Sequence, residues 1–305
     1  MSLSAIILAA GKATRMKSEM VKVLHPICGR PMLSYVFDAC RDAGVKRLYV
    51  VVGFDRERVM ATYKDATDIT WIVQHEQKGT GHAVGVCREQ IAAAEGLGAD
   101  DHVFVLGGDG PLIRAGTLQT LFKTHVESKA AVTLATSILE NPTGYGRIMR
   151  DSSGGVLGIV EQNDATPEQR AIKEVNPTYW LFKNVDLFAS LEQVQPNNKK
   201  GEYYLTDTLA ILRSLGKTLS AVPAVPPEDV LSINTRAELA DVARVVQRRI
   251  QKHWQDSGVT LVSPENTWIE FGAAIGVESV IEPFTVIRAG AKVPPGTHVA
   301  AGTVV

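Results

Sequence analysis

The chain has 305 residues, 45% of them apolar, and a formal net charge of -1. That is enough apolar material for one large domain or two of ordinary size, while a near-neutral balance leaves no global field to hold nucleic acid or an anionic membrane surface. With no run of about 18 apolar residues and no cleavable leader pattern, the sequence reads as a soluble cytoplasmic protein, neither secreted nor membrane-spanning.

The first predicted element is the apolar run "SAIILAA". It stops at a turn-prone Ala-Ala-Gly and is followed by Lys12, Arg15, Lys17 and Lys22. A strand, a glycine-containing loop and a helix direct backbone N–H groups at an anion, and nearby cations add charge-assisted bonds; a solvated surface loop is the bland alternative. "GKATRM" lacks the glycines of a dinucleotide loop, and Ile6 and Ala13 stand where a P-loop needs Gly and Ser/Thr. Up to about residue 130, the runs "AIILAA", "RLYVVVG", "ITWIVQ" and "HVFVLG" alternate with helical patterns such as "PMLSYVFDACRDAG". This predicts βαβ units in a mostly parallel sheet covered by helices, with ligands at the strands' carboxyl ends. Cys28, Cys40 and Cys87 form no CxxC spacing and lie in apolar segments, as buried free thiols do.

From about 130 to 224 the pieces become β-rich ("AAVTLATSIL", "GRIMRD", "GGVLGIVEQ", "EVNPTYWLFK"), with one helical stretch beginning near "GEYYLTDTLAILRSLG". This predicts a mixed extension of the sheet. Residues 235–258 place Leu239, Val242, Val246, Ile250 and Trp254 on one helical face with Gly258 as a stop, a connector helix. In the tail a branched aliphatic recurs every six residues, at Ile269, Ile275, Ile281, Ile287, Val293, Val299 and Val305. Hexapeptide periodicity predicts a parallel β-helix. The pattern is still running at Val305, so the expectation is a longer natural chain or a coil capped by another subunit.

Taken together, "LAAGKATRM" and Lys22 in "MVKVLHPICGRPM" resemble the signature of the sugar-1-phosphate nucleotidyltransferases. "QHEQKGTGHA", "NPTGYGRI", "GIVEQNDAT" and "GEYYLTD" resemble the uridylyltransferase part of the bacterial bifunctional enzymes that make UDP-N-acetylglucosamine, and the helix and hexapeptide tail follow in the same order. The resemblance implies a Rossmann-like nucleotidyltransferase domain at 1–234, a connector at 235–260 and a short left-handed β-helix at 261–305. It also implies transfer of UMP from UTP to N-acetylglucosamine-1-phosphate with Mg2+.

By the same resemblance, Arg15 and Lys22 are the catalytic cations on the triphosphate. Leu8, Ala10, Gly11, Gln74, Gln77, Gly79 and Thr80 bind the nucleotide, the two glutamines offering donor and acceptor to uracil. Gly146, Glu161 and Asn176 face the sugar. Asp109 and Asn234 are hard oxygen ligands for Mg2+, although a turn aspartate beside glycines is the bland reading of Asp109. No general base is required, because a phosphate monoester has a second pKa of about 6 and is mostly dianionic at neutral pH.

The sequence departs from the family at four places. Ala13 stands for a usual glycine, Gly107 for an aromatic residue, Gly110 for a branched one, and Pro177 interrupts Asn-Thr-Gly. These leave open a different sugar-1-phosphate, thymidylyl transfer, or a nucleotide-binding protein without catalysis. The resemblance implies a possible homotrimer through the tail, whose roughly two coils are too little repeat for acetyl transfer.

Overall fold

The computed structural model describes residues 2–12, 14–94, 96–98, 100–198 and 201–305. The departure at Ala13 lies outside the described residues. β1 (Leu3–Ala9) is apolar on both faces and sits in mid-sheet, where helices cover both sides. A short hairpin follows, β2 (Pro26–Ile27) and β3 (Arg30–Pro31), and then β4 (Arg47–Val52), β5 (Ile69–Val73) and β6 (His102–Gly107), which with β1 make the parallel part. The β-rich middle supplies β7 (Val132–Ile138), β8 (Gly146–Arg150), β9 (Val156–Val160), β10 (Glu174–Lys183) and β11 (Leu219–Val222).

The order across the sheet is β11-β7-β10-β6-β1-β4-β5, with the β8–β9 hairpin attached to β10. β10 runs antiparallel to both β6 and β7, so the sheet is mixed as the sequence predicts. One apolar cluster on each face holds the helices, with Leu33, Val36 and Phe37 in the first and Tyr49, Val84 and Trp180 in the second. Cys28, Cys40 and Cys87 are buried and unpaired, and burial pushes the Cys40 thiol up to about 12, which leaves it unreactive.

In the middle region three helices stand where the sequence predicts one, the first being the single turn Pro167–Arg170. Asn184–Leu191 is helical, and the later helix begins only at Asp207. Eight residues are too short for a clear helical period. The segment before Asp207 is held out of a helix because Tyr203 N donates to Lys78 O and Tyr203 O accepts from Gly81 N, both at 2.8 Å.

The connector helix is Arg236–Asp256, started by a capping box in which Thr235 and Glu238 satisfy each other's backbone N–H. Midway along it, Gln247 Oε1 accepts from Ile269 N at 3.0 Å and Gln251 Nε2 donates to Thr267 O at 2.8 Å, fastening it to the coil beyond. In that coil Trp268 pairs with Val286, Ala274 with Lys292 and Val280 with His298, always in parallel and 18 residues apart, three faces of six per turn. Ile269, Ile275, Ile281, Ile287, Val293 and Val299 are buried, whereas Val305 is 37% exposed.

One buried group makes stability depend on pH. His125 is fully buried against Thr133, with Nδ1 and Oγ1 2.9 Å apart and His102 edge-on, and burial pushes its pKa from 6.5 down to about 3. His102 and Lys183 add repulsion in the same direction. The unfolded chain therefore binds more protons than the native one below pH 6.5, so this stability is present above 6.5 and is lost as pH falls toward 3. The urea midpoint is expected to drop between pH 7 and pH 5 and to drop less in His125→Leu; parallel profiles in the two proteins refute this.

Candidate active site

The ends of β1 and β6 meet where Gly108 N donates to Leu8 O at 2.9 Å. Because β10 is antiparallel, with Tyr179 paired to Leu106, its first residues project to the same end of the sheet. A third segment arrives from the start of the connector helix, held by Ile233 N donating to Asp109 O at 3.1 Å. Between them lies a cavity of about 380 Å3, lined by Leu8, Gly11, Lys22, Thr80, Asp109, Glu161 and Asn176 among others.

The cavity holds a cation position. Lys22 Nζ donates to Asp109 Oδ2 at 2.6 Å and to Asn234 Oδ1 at 3.2 Å, so an ammonium already rests between a carboxylate and an amide oxygen. Those two hard oxygens suit a divalent cation of the Mg2+ type. Among the described residues no group of three or more His, Cys, Asp or Glu could hold a metal, so phosphate oxygens and water have to complete the shell. The departures shape this corner. A methyl at Gly107 would stand 2.7 Å from Asp109 Oδ1, and one at Gly110 2.9 Å from Tyr179 Oη. Glycine at 107 is what lets the carboxylate lie against the end of its own strand.

Gly146 is paired with Asn176 across β8 and β10, and a methyl at Gly146 would lie 3.3 Å from Glu161 Oε2, so Gly146, Glu161 and Asn176 stand together. Gln77 Nε2 donates to Ala10 O at 2.6 Å, tying the basic loop to the next strand end. Gln74 and Gln77 line a separate hollow of about 360 Å3 with Lys12 and Phe54, not the main cavity. Thr80 Oγ1 accepts from Leu205 N at 3.1 Å. Gly79 has φ +105°, and a Cβ there would meet Tyr203 O at 2.5 Å, so only glycine fits the turn. Arg15 lies exposed in the turn Thr14–Met16, without an ion pair among the described residues, and lines neither hollow.

Sequence reasoning missed several groups here. Tyr145 and Tyr179 line the cavity, and Arg236 donates to Met16 O at 3.3 Å beside His25, clamping the basic loop from 220 residues away. The quoted "NPTGYGRI" and "EVNPTYWLFK" contain Tyr145 and Tyr179, and Arg236 lies in the connector stretch 235–258, but no local pattern reveals contacts at such separations.

A mostly parallel sheet whose strand ends hold a cation position beneath a basic loop is the architecture of a nucleotidyltransferase. Residues 5–207 match the MobA-like NTP transferase domain, and the chain belongs to that family. It is 42% identical over 304 residues to the "Bifunctional protein GlmU" of Geobacter sulfurreducens, covering 100% of this chain and 63% of that protein. The protein of the same name from Pelobacter propionicus is 41% identical over 301 residues (99% of this chain, 64% of the relative), and that of Listeria monocytogenes 41% over 284 residues (93% and 61%). The chain thus spans a little under two thirds of the length of these relatives. Among the described residues no helix is long and apolar enough to cross a membrane.

Proposed function

We propose that the chain transfers UMP from UTP to N-acetylglucosamine-1-phosphate in the cytoplasm, giving UDP-N-acetylglucosamine and pyrophosphate with Mg2+ as cofactor. The observation that carries this reading is that Lys22 and Asp109, which form the cation position with Asn234, line the same cavity as Glu161 and Asn176, beside which Gly146 stands. Similarity to the GlmU proteins over nearly the whole chain supports it. Residues 1–234 are assigned to this transfer, 235–260 to the connector and 261–305 to a coil through which the chain forms a homotrimer.

In this reading a sugar-phosphate oxygen forms a bond to the α-phosphorus, the bond from that phosphorus to the α–β bridging oxygen breaks, and pyrophosphate leaves with the electron pair. No proton has to move, since the attacking phosphate is already a dianion at neutral pH. Bound by Asp109, Asn234 and phosphate oxygens, Mg2+ supplies neutralisation of the triphosphate. Lys22 leaves its two oxygen partners and pairs with the phosphates, and Arg15 folds in from solvent to do the same. Gln74 and Gln77 read the uracil edge beside Ala10, Gly11, Gly79 and Thr80, while Leu8 forms the floor.

The test is pyrophosphate release with UTP, dTTP, CTP or GTP against N-acetylglucosamine-, glucose-, galactose- and glucosamine-1-phosphate. A maximum at UTP with N-acetylglucosamine-1-phosphate is expected. A maximum at another pair overturns the substrate assignment, and UTP binding without pyrophosphate release from any pair overturns the enzyme.

A further inference from the structure

β10 is broken where it enters the cavity. Its register on β7 shifts between Val175 and Tyr179, Pro177 contributes no N–H, and Thr178, a β-branched residue, is held at φ +65°. A kink of this kind needs something to hold it.

The side chain of Asn176 does so. Its Oδ1 accepts from Thr178 N at 3.0 Å and from the indole Nε1 of Trp180 at 2.9 Å. A peptide nitrogen and an indole nitrogen are donors only, so the amide must present its oxygen to them; the flipped amide would face two donors with its own NH2. The nitrogen Nδ2 is thereby turned away from Trp180, bonds to none of the described residues, and is not sealed from solvent. Asn176 also lines the cavity together with Glu161.

Trp180 itself cannot move. It is 1% exposed, stacked on Phe182 with 5.6 Å between ring centroids, and its backbone pairs with Val105 on one side and Leu134 on the other.

We propose that Trp180 is a positioning residue for sugar selection: its indole N–H fixes Asn176 as an obligate donor, so the cavity selects sugar phosphates that present a hydrogen-bond acceptor, such as an acetamido carbonyl, to Nδ2. This rests on the proposed uridylyl transfer. An amide free to rotate could greet either a donor or an acceptor; a locked one discriminates. Pro177 contributes by having no N–H to compete for the oxygen of Asn176. Trp180 does not touch the sugar, so its effect appears only in the choice between sugars.

The experiment compares wild type with Trp180→Phe, which keeps an aromatic ring beside Phe182 and removes the indole donor together with part of the ring volume. KM and kcat are measured for N-acetylglucosamine-1-phosphate and for glucosamine-1-phosphate, whose protonated 2-amine is a donor only, with UTP varied separately. The expected result is a roughly tenfold fall in the preference for the acetamido sugar, expressed in its KM, with KM for UTP within about twofold of wild type. A preference unchanged in folded Trp180→Phe overturns the proposal.

Asn176→Asp provides the second variant should Trp180→Phe fail to fold. Its carboxylate still accepts from Trp180 and Thr178 but offers no donor to the cavity, and the same preference is expected to vanish; its retention overturns the proposal. Exchange of the Trp180 indole proton, followed by NMR, is read independently of turnover. Slow exchange that becomes fast in Asn176→Ala is expected, and fast exchange in the wild type overturns the lock itself. Absence of turnover in the wild type with a slowly exchanging indole would instead strike the uridylyl-transfer reading and leave the lock standing.

Discussion

Asp109→Ala lowers pyrophosphate release by about a thousandfold at saturating substrates, the scale expected when a preorganised stabiliser of developing phosphate charge is removed. The carboxylate is the only charged member of the proposed ligand pair, since Asn234 brings a neutral amide oxygen. Without it, Lys22 keeps a single partner in Asn234 and the proposed metal position loses its one charged ligand. Backbone contacts survive the substitution, because the bond from Ile233 N to Asp109 O is independent of the side chain. The thermal midpoint is therefore expected to change little while turnover collapses. Turnover within tenfold of the wild type would show that the metal is held elsewhere.

Lys22→Ala separates two effects that point in opposite directions. Turnover falls by about a hundredfold, the typical loss for one donor aimed at a transition-state oxyanion. Metal binding, by contrast, becomes tighter. In the wild type the ammonium lies between the two oxygens proposed to hold the metal, so a divalent ion binds only the fraction of molecules in which that pair is open. The pair is partly exposed, 12% for Lys22 and 31% for Asp109, and is worth up to about 1 kcal/mol, so Mn2+ affinity without nucleotide rises by roughly fivefold in the variant. Electron paramagnetic resonance of free Mn2+ measures this directly. Weaker binding in Lys22→Ala would mean that the lysine supports the cation position and does not compete for it.

The parts of the molecule that are legible in the sequence are those whose cause is local. Uninterrupted apolar runs such as "HVFVLG" predict buried parallel strands because both faces of β6 are covered, and the six-residue period predicts the coil because each face turns one aliphatic inward. The start of the connector helix follows from Thr235 and Glu238 at capping-box spacing. Short or context-held elements escape. Asn184–Leu191 lacks a capping side chain, and the Tyr203 segment is kept extended by partners more than 120 residues away.

The site divides in the same way. Lys22, Asp109 and Asn234 are named from separate stretches, and the fold brings them within hydrogen-bond distance. The bond between Trp180 and Asn176 is invisible to a period-two reading of β10, since only a register shift brings an i, i+4 pair in a strand together. The separate hollow holding Gln74 and Gln77 depends on Lys12 and Phe54 lying together, which no spacing foretells.

The connector helix is bolted at several stations. Asn234 stands just before its cap, Arg249 Nη1 donates to Leu112 O at 3.0 Å in the loop after Asp109, and Gln247 and Gln251 grip the coil. With 21 residues it is a strut about 31 Å long. Asp109 and Asn234 are therefore tied to the same rod that carries the coil, and torque applied to the coil is expected to alter the gap between their two oxygen atoms.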